Sequence, residues 1–262
     1  MQLPQQTIEK LAELLENAEL QAHEVVKITE AHPEMDWDDA YAIQAEILRR
    51  KLARGNRVVG LKAGLTSRSK MKQMGVDTPV FGWLVDTFSV PDTGEIKHSE
   101  LIHPKVEPEI VFVMKKALKG PGCHVGDVLA ATDFVMPGIE IIDSRYKDFK
   151  FDLKSVIADN CSSSRFVLGS QSTPIAGLDL RTLGVVLEKN GEPVAIGAGA
   201  AVLGHPAAAI AALANHLGAR GEEIPAGTMI LSGGVTEAIA VNPGDSVLLR
   251  IHALGTVSTR FV

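Results

Sequence analysis

The chain has 262 residues, 45% hydrophobic and 22% charged, with a formal net charge of −6, a composition that supports a large single core with or without an appendage. The basic residues fall in short scattered clusters rather than a sustained stripe, which argues against a nucleic-acid binder and leaves small anionic ligands open. Two cysteines, Cys123 and Cys161, are too few for a disulfide framework or a Cys-based zinc site and fit a reduced, cytoplasmic setting, while the N-terminus lacks the pattern of a signal peptide and no stretch reads as long enough to span a bilayer.

From about Thr7 to Ala53 the apolar spacing is helical: Ile8, Leu11, Leu14 and Leu15 recur on one face, and Ala40, Ile43, Ile47 and Leu48 repeat the pattern. Asp36 is placed to cap the second helix, which should stop near Gly55. Beyond it the signals become β-rich. Runs from Arg57 to Leu61, Glu107 to Met114, Val135 to Ile142 and Arg165 to Leu168 read as strands, interrupted by short helices around Ser67 to Met74 and Val125 to Thr132. Leu183 to Ile196 reads as a hairpin turning at Asn190-Gly191, suited to a type I′ turn. His205 to Ala219 is helical and ends near Gly221, and Met229 to Val262 is a second β region containing the turn Asn242-Pro243-Gly244-Asp245. The expectation is an α+β chain with residues 1–55 forming a helical N-terminal cap and residues 56–262 a β-rich catalytic body of mixed topology.

Val106-Glu107-Pro108-Glu109-Ile110-Val111-Phe112-Val113 opens with two glutamates in an apolar strand. Strand side chains alternate, so both carboxylates point the same way. Glu140 sits inside a second apolar run, Val135 to Ile142. Three water-excluded carboxylates from two strands repel one another unless a cation holds them, and Mg2+ or Mn2+ with oxygen ligands fits. The plainer alternative has Glu107 and Glu109 facing solvent and Glu140 paired with an arginine. Lys62, in the glycine-flanked strand end Gly60-Leu61-Lys62-Ala63-Gly64-Leu65-Thr66, either pairs with a carboxylate or enolate or snorkels to the surface. Asp143 to Lys150 and Asp159 to Arg165 place hydroxyls, amides and guanidinium groups on loops, where turn chemistry or a ligand site would equally use them. Cys161 has no adjacent histidine to make it a nucleophile. Gly197-Ala198-Gly199 lacks the third glycine and the βαβ setting of a dinucleotide site, and Gly204-His205-Pro206 opens a helix, either as an ordinary start or with free N–H groups that receive an anion.

Taken together, Gly60 to Ser67, Val106-Glu107-Pro108-Glu109, Ile139 to Arg145, Ala158 to Ser163 and Leu203-Gly204-His205-Pro206 resemble, in order, the motifs of the hydratase/decarboxylase branch of the fumarylacetoacetate hydrolase superfamily, over nearly the whole chain. Ile142 to Tyr146 with Phe149 to Leu153, Gly120 to His124, and Glu24 to Met35 are the softer cues that favour the decarboxylases within it. One departure is Cys161, where the family pattern favours alanine. The resemblance implies a fumarylacetoacetate-hydrolase-type fold with Glu107, Glu109 and Glu140 as ligands of Mg2+ or Mn2+. It implies Lys62 as a catalytic and substrate contact, Asp159 as a second catalytic candidate, and Leu65, Arg145 and Ser163 as substrate-binding candidates.

The implied reaction is metal-dependent decarboxylation of a dicarboxylate 2-oxo acid, 2-oxo-3-hexenedioate, in the meta-cleavage route of aromatic catabolism. Hydration of 2-hydroxypenta-2,4-dienoate is the alternative, and a non-catalytic partner role beside a hydratase is a third. A tight bidentate arginine on the departing carboxylate would oppose the reaction, so a loosely polar or partly apolar pocket is expected there. A homo-oligomer, and a complex with the hydratase of the same pathway, are the partners expected.

Overall fold

A computed structural model of the protein describes residues 1–262 except Ser69, Lys70, Gln73 and Met74, so the expected short helix from Ser67 to Met74 lies partly outside the described residues. A large mixed sheet forms the middle layer. It has the order β2 (Val80–Val85), β1 (Val58–Gly64), β11 (Met229–Leu231), β5 (Lys105–Met114), β6 (Thr132–Ile142), β7 (Ser163–Leu168) and β3 (Ser89–Val90), with β12 (Ile239–Ala240) beside β5 and β8 (Thr173–Pro174) beside β6. One face carries the N-terminal helices, and the other packs on a second sheet ordered β10 (Glu192–Ala198), β9 (Gly184–Lys189), β13 (Ser246–Ile251), β14 (Gly255–Phe261) and β4 (Glu95–Ile96).

Helix α1 (Gln5–Leu20) buries Ile8, Leu11 and Leu15. Helix α2 (Trp37–Ala53) begins with a capping box between Asp36 and Asp39, which satisfies backbone N–H groups that have no intrahelical partner, and is followed by Gly55 at φ +92°. Buried Glu16 on α1 accepts from Arg50 at 2.6 Å and also from Arg54, tying the helices together. Their apolar faces pack with Trp83, Val111, Phe166 and Leu231 from the sheet. On the opposite face Ile110, Phe112, Ile139 and Ile141 meet Val185, Leu187, Leu249, Val257 and Phe261.

Strand β5 therefore separates two apolar clusters by simple alternation, with Val106, Ile110 and Phe112 facing the second sheet and Val111 facing the helices. Lys105, Glu107 and Glu109 occupy the same face as Val111. Short helices α3 (Val125–Ala131) and α4 (Leu153–Ala158) follow β5 and β6, the first capped by His124 and the second by Asp152. The hairpin β9–β10 turns at Asn190 and Gly191, with φ of 56° and 84°, in agreement with the expected primed turn.

The stretch Gly199–Gly218 corrects one expectation, because by length and composition it is apolar enough to cross a membrane. It is broken by Leu203 and Gly204 at φ 51° and 85°, and α5 (Pro206–Gly218) buries Ile210 and Leu213 in the core. His205 Nδ1 accepts the Ala207 N–H at 3.0 Å, so this helix start is capped by its own chain. Strand β2, Val80-Phe81-Gly82-Trp83-Leu84-Val85, is buried throughout and was not singled out in the sequence.

Candidate active site

The register of β5 against β6 pairs Glu109 with Gly138, Glu107 with Glu140 and Lys105 with Ile142. Opposed residues in an antiparallel pair project from the same face, so three carboxylates converge. One oxygen from each of Glu107, Glu109 and Glu140 lies within 4.8 Å of the others. Glu109 and Glu140 are fully buried and Glu107 is half-buried, so the solvent-facing alternative does not describe them.

Behind the carboxylates, the Gly233 N–H donates to Glu109 Oε2 at 2.6 Å. Gly233 sits at φ +104°, and a Cβ there would fall 2.1 Å from Thr66 Oγ1, so this turn admits only glycine. Among the described residues Glu109 Oε1 and Glu140 Oε1 are buried and accept no hydrogen bond. Burial pushes the Glu109 carboxyl well above its usual range, and the neighbouring Glu140 and Glu107 push it further.

Lys62 enters from β1, buried, with Nζ 3.0 Å from Glu140 Oε2 and donating to the Cys161 carbonyl at 3.2 Å. Glu140 thus pairs with a lysine rather than an arginine. Burial alone would lower the Lys62 ammonium, but Glu140 first, and Cys161, Glu107 and Glu109 after it, raise it above its usual value. Among the described residues three carboxyl groups meet one ammonium. The orphaned oxygens and the all-carboxylate donor set fit a hard divalent cation.

The wall opposite is an unusual turn. Asn160, Cys161 and Ser162 have φ of 48°, 53° and 59°, three successive non-glycine residues in the left-handed region, which asparagine tolerates and which costs Cys161 and Ser162 ~1–2 kcal/mol each. A clamp holds it: Asn160 Oδ1 accepts from the Trp83 N–H and Nδ2 donates to the Trp83 carbonyl, both at 3.0 Å. Gly82 makes room, since a Cβ there would lie 2.7 Å from Asn160 Oδ1. The turn aims the Cys161 carbonyl at Lys62 and brings Ser162 to the cavity. Burial pushes the Cys161 thiol up to about 12, which leaves it protonated and unreactive, as expected from its isolation.

Lys62, Leu65, Glu107 and Ser162 line a cavity of about 470 Å³, closed by Phe149, Phe151, Leu153 and Val156, with Lys105 also on its wall. Leu65 and Phe149 join Cys161 and Ser162 as non-glycine residues of positive φ on this wall. Backbone strain gathered around one cavity marks a site that the surrounding fold overdetermines.

The other candidates lie elsewhere. Arg145 and Asp159 bind each other: Arg145 Nε donates to the Asp159 carboxylate, its backbone N–H does so at 3.2 Å, and Nη1 donates to the carbonyls of Asp143 and Ser163 at 2.7 and 3.0 Å. Neither residue lines the cavity. Ser163 is buried beside the cavity, and it is Ser162 that reaches the wall. Phe149 and Ser162 belong to the two loop segments expected to offer a ligand site, whereas Lys105 and Phe151 on the wall were not expected there; the aromatic pair in Phe149-Lys150-Phe151 was the available signal.

A family model described as Fumarylacetoacetate (FAA) hydrolase C-terminal matches residues 63–262. A 4-oxalocrotonate decarboxylase of Pseudomonas sp. strain CF600 is 62% identical over 252 residues, covering 96% of both chains. A 2-hydroxyhexa-2,4-dienoate hydratase of Comamonas testosteroni is 42% identical over 258 residues, covering 98% of both. Among solved structures, the 4-oxalocrotonate decarboxylase from Pseudomonas putida G7 complexed with magnesium and adipate superposes with a TM-score of 0.97 at 58% identity, over 99% of each chain.

Proposed function

The chain belongs to the fumarylacetoacetate hydrolase family, and we propose that within it the protein is a carboxy-lyase that uses Mg2+ or Mn2+ to convert 2-oxo-3-hexenedioate (4-oxalocrotonate) to 2-hydroxypenta-2,4-dienoate and CO2 in the meta-cleavage catabolism of aromatic compounds. The observation that carries the reading is the set of three converging carboxylates at one end of a cavity whose remaining wall is largely apolar.

Glu107, Glu109 and Glu140 would hold the divalent cation, which would supply Lewis acidity to a bound 2-oxo acid. The chain's own residues do the rest. When the bond between C5 and the distal carboxylate breaks, its electron pair runs through the conjugated chain to the 2-oxo oxygen. Lys62, fixed by Glu140 and the Cys161 carbonyl, carries the positive hydrogen-bond donor for that oxygen. Ser162 offers a hydroxyl that none of the described residues occupies, and Leu65, Phe149, Phe151 and Val156 keep water from the conjugated segment. We assign Asp159 and Arg145 to positioning, because their charged groups serve each other and brace the strained turn from behind.

Residues 1–55 are proposed as the helical cap and residues 56–262 as the catalytic body. The product is the substrate of 2-hydroxypenta-2,4-dienoate hydratase, which motivates a complex with that enzyme, alongside self-association and a cytoplasmic location. A hydratase activity for this chain itself is the second reading, favoured by the relative 42% identical to it.

The test follows CO2 release from 2-oxo-3-hexenedioate and, separately, hydration of 2-hydroxypenta-2,4-dienoate, each with Mg2+ and with EDTA. CO2 release abolished by EDTA is the expected result. Hydration without CO2 release would replace the proposal with the hydratase, and neither activity would favour the non-catalytic partner.

A further inference from the structure

We propose that Lys105 is the group that recognises the distal carboxylate of the substrate, and that it gives the site its selectivity for dicarboxylates over monocarboxylates. The inference rests on the proposed reaction and extends it to the opposite end of the cavity.

Lys105, Glu107 and Glu109 share one face of β5, and Lys105 lies opposite Ile142 as Glu107 lies opposite Glu140. The floor of the site is therefore a strip of two strands with carboxylates at one end and a cation at the other. Positions two apart on a strand are separated by about 7 Å, and an extended six-carbon diacid built from ~1.5 Å bonds spans about 6–7 Å. A ligand with one end at the three glutamates thus brings its other end within reach of Lys105. Apart from Lys62, which Glu140 already engages, Lys105 is the only cation on the cavity wall among the described residues.

The surroundings of Lys105 suit a charge that must bind and then let go. Its ammonium forms no ion pair among the described residues and rests 3.9 Å from the ring centroid of Phe149. Phe149 is itself held at φ 58° and packed against His103 at 5.4 Å. An ammonium on an aromatic face retains partial compensation when no anion is present. As the distal carboxylate becomes neutral CO2, the lysine can fall back on the ring. A bidentate arginine would stabilise the ground state more and slow the bond cleavage.

The experiment compares adipate with hexanoate, which has the same number of carbons but one carboxylate, by calorimetric titration of the Mg2+-loaded protein and its K105M and K105R variants. The intact protein should bind adipate about tenfold or more tightly than hexanoate, the scale of one charged hydrogen bond. K105M should reduce adipate to the hexanoate level while leaving hexanoate binding unchanged, and K105R should keep the preference. In turnover of 2-oxo-3-hexenedioate, K105M should raise KM about tenfold with little or no loss of kcat. An adipate preference that survives K105M, an equal loss of both ligands, or a fall in kcat at constant KM would overturn the assignment. Intact protein that decarboxylates and binds adipate while K105M behaves like it overturns Lys105 alone; intact protein that does neither overturns the proposed reaction as well.

Discussion

Glu140 Oε2 lies 3.0 Å from Lys62 Nζ, and both side chains are buried. The pair joins β6 to β1, strands separated in the large sheet by β11 and β5, and it fixes the lysine beside the carboxylate that faces Glu107. Lys62 is therefore both part of the charge balance of the carboxylate site and a donor at its edge.

These two roles separate on mutation. Lys62→Met should lower kcat by about 10²–10³-fold, the scale of one lost oxyanion donor. It should leave Mg2+ binding equal or tighter, because one positive charge has gone from a site of three carboxylates. Glu140→Gln should instead weaken Mg2+ by at least ~100-fold, more than the usual effect of altering a group that only supports a ligand. Titration of Mg2+ by calorimetry distinguishes them; weakened metal binding in Lys62→Met would show that the lysine is needed to build the site.

The contribution of Glu109 to the stability of the metal-free protein should fall as pH rises. Burial and the two adjacent carboxylates hold Glu109 well above its ordinary value of 4.5, so the folded state binds a proton there that the unfolded chain has released. The associated stability is complete below 4.5 and is lost as pH rises from there through the raised value. Mg2+ should raise the melting temperature, and raise it more at pH 7 than at pH 5. Glu109→Gln should flatten the pH dependence of the metal-free protein; an unchanged slope would remove Glu109 as its source.

His216 gives the opposite sign. Burial, and Arg220 after it, lower this imidazole to about 4, while Tyr41 and Phe81 pack against it at ring centroid distances of 4.7 and 4.9 Å. The unfolded chain takes up a proton near 6.5 that the folded state resists, so stability is lost as pH falls from 6.5 toward 4. Denaturant midpoints between pH 7 and pH 5 should fall less in His216→Phe than in the parent protein.

Asn160→Ala should remove both bonds of the clamp on Trp83 and leave its buried backbone groups without these partners, at about 2–4 kcal/mol. The left-handed turn should relax, taking the Cys161 carbonyl from Lys62. Activity should fall with stability, and a variant of parental stability and full activity would show that the turn holds without the clamp.

Asp159→Asn tests positioning against proton transfer. Breaking a buried charge pair from one side costs about 3–5 kcal/mol, so the expected outcome is a large loss of stability in urea unfolding. Were Asp159 a proton donor, the variant would fold at near-parental stability and lose kcat.

Much of this was legible along the chain. The helical period of Ile8, Leu11 and Leu15, the cap at Asp36 and the turn at Asn190-Gly191 are local, set by neighbouring residues and reproduced in the fold. The spacing of Glu107 and Glu109 fixed their common face because strand alternation is a local rule, and Glu140 stood out as a charge in an apolar run. What one chain position cannot state is register and reach. The pairing of Glu107 with Glu140, the ion pair of Lys62, and the mutual burial of Arg145 and Asp159 join residues distant in sequence or on different loops. The left-handed turn at Asn160–Ser162 is also a tertiary decision, since Cys161 and Ser162 disfavour that conformation and the clamp from β2 and the space at Gly82 hold it. Residue types determined which chemistry was available, and the packing of two sheets and a helical layer decided which of those groups meet, because burial makes each charge depend on a partner that the local sequence does not contain.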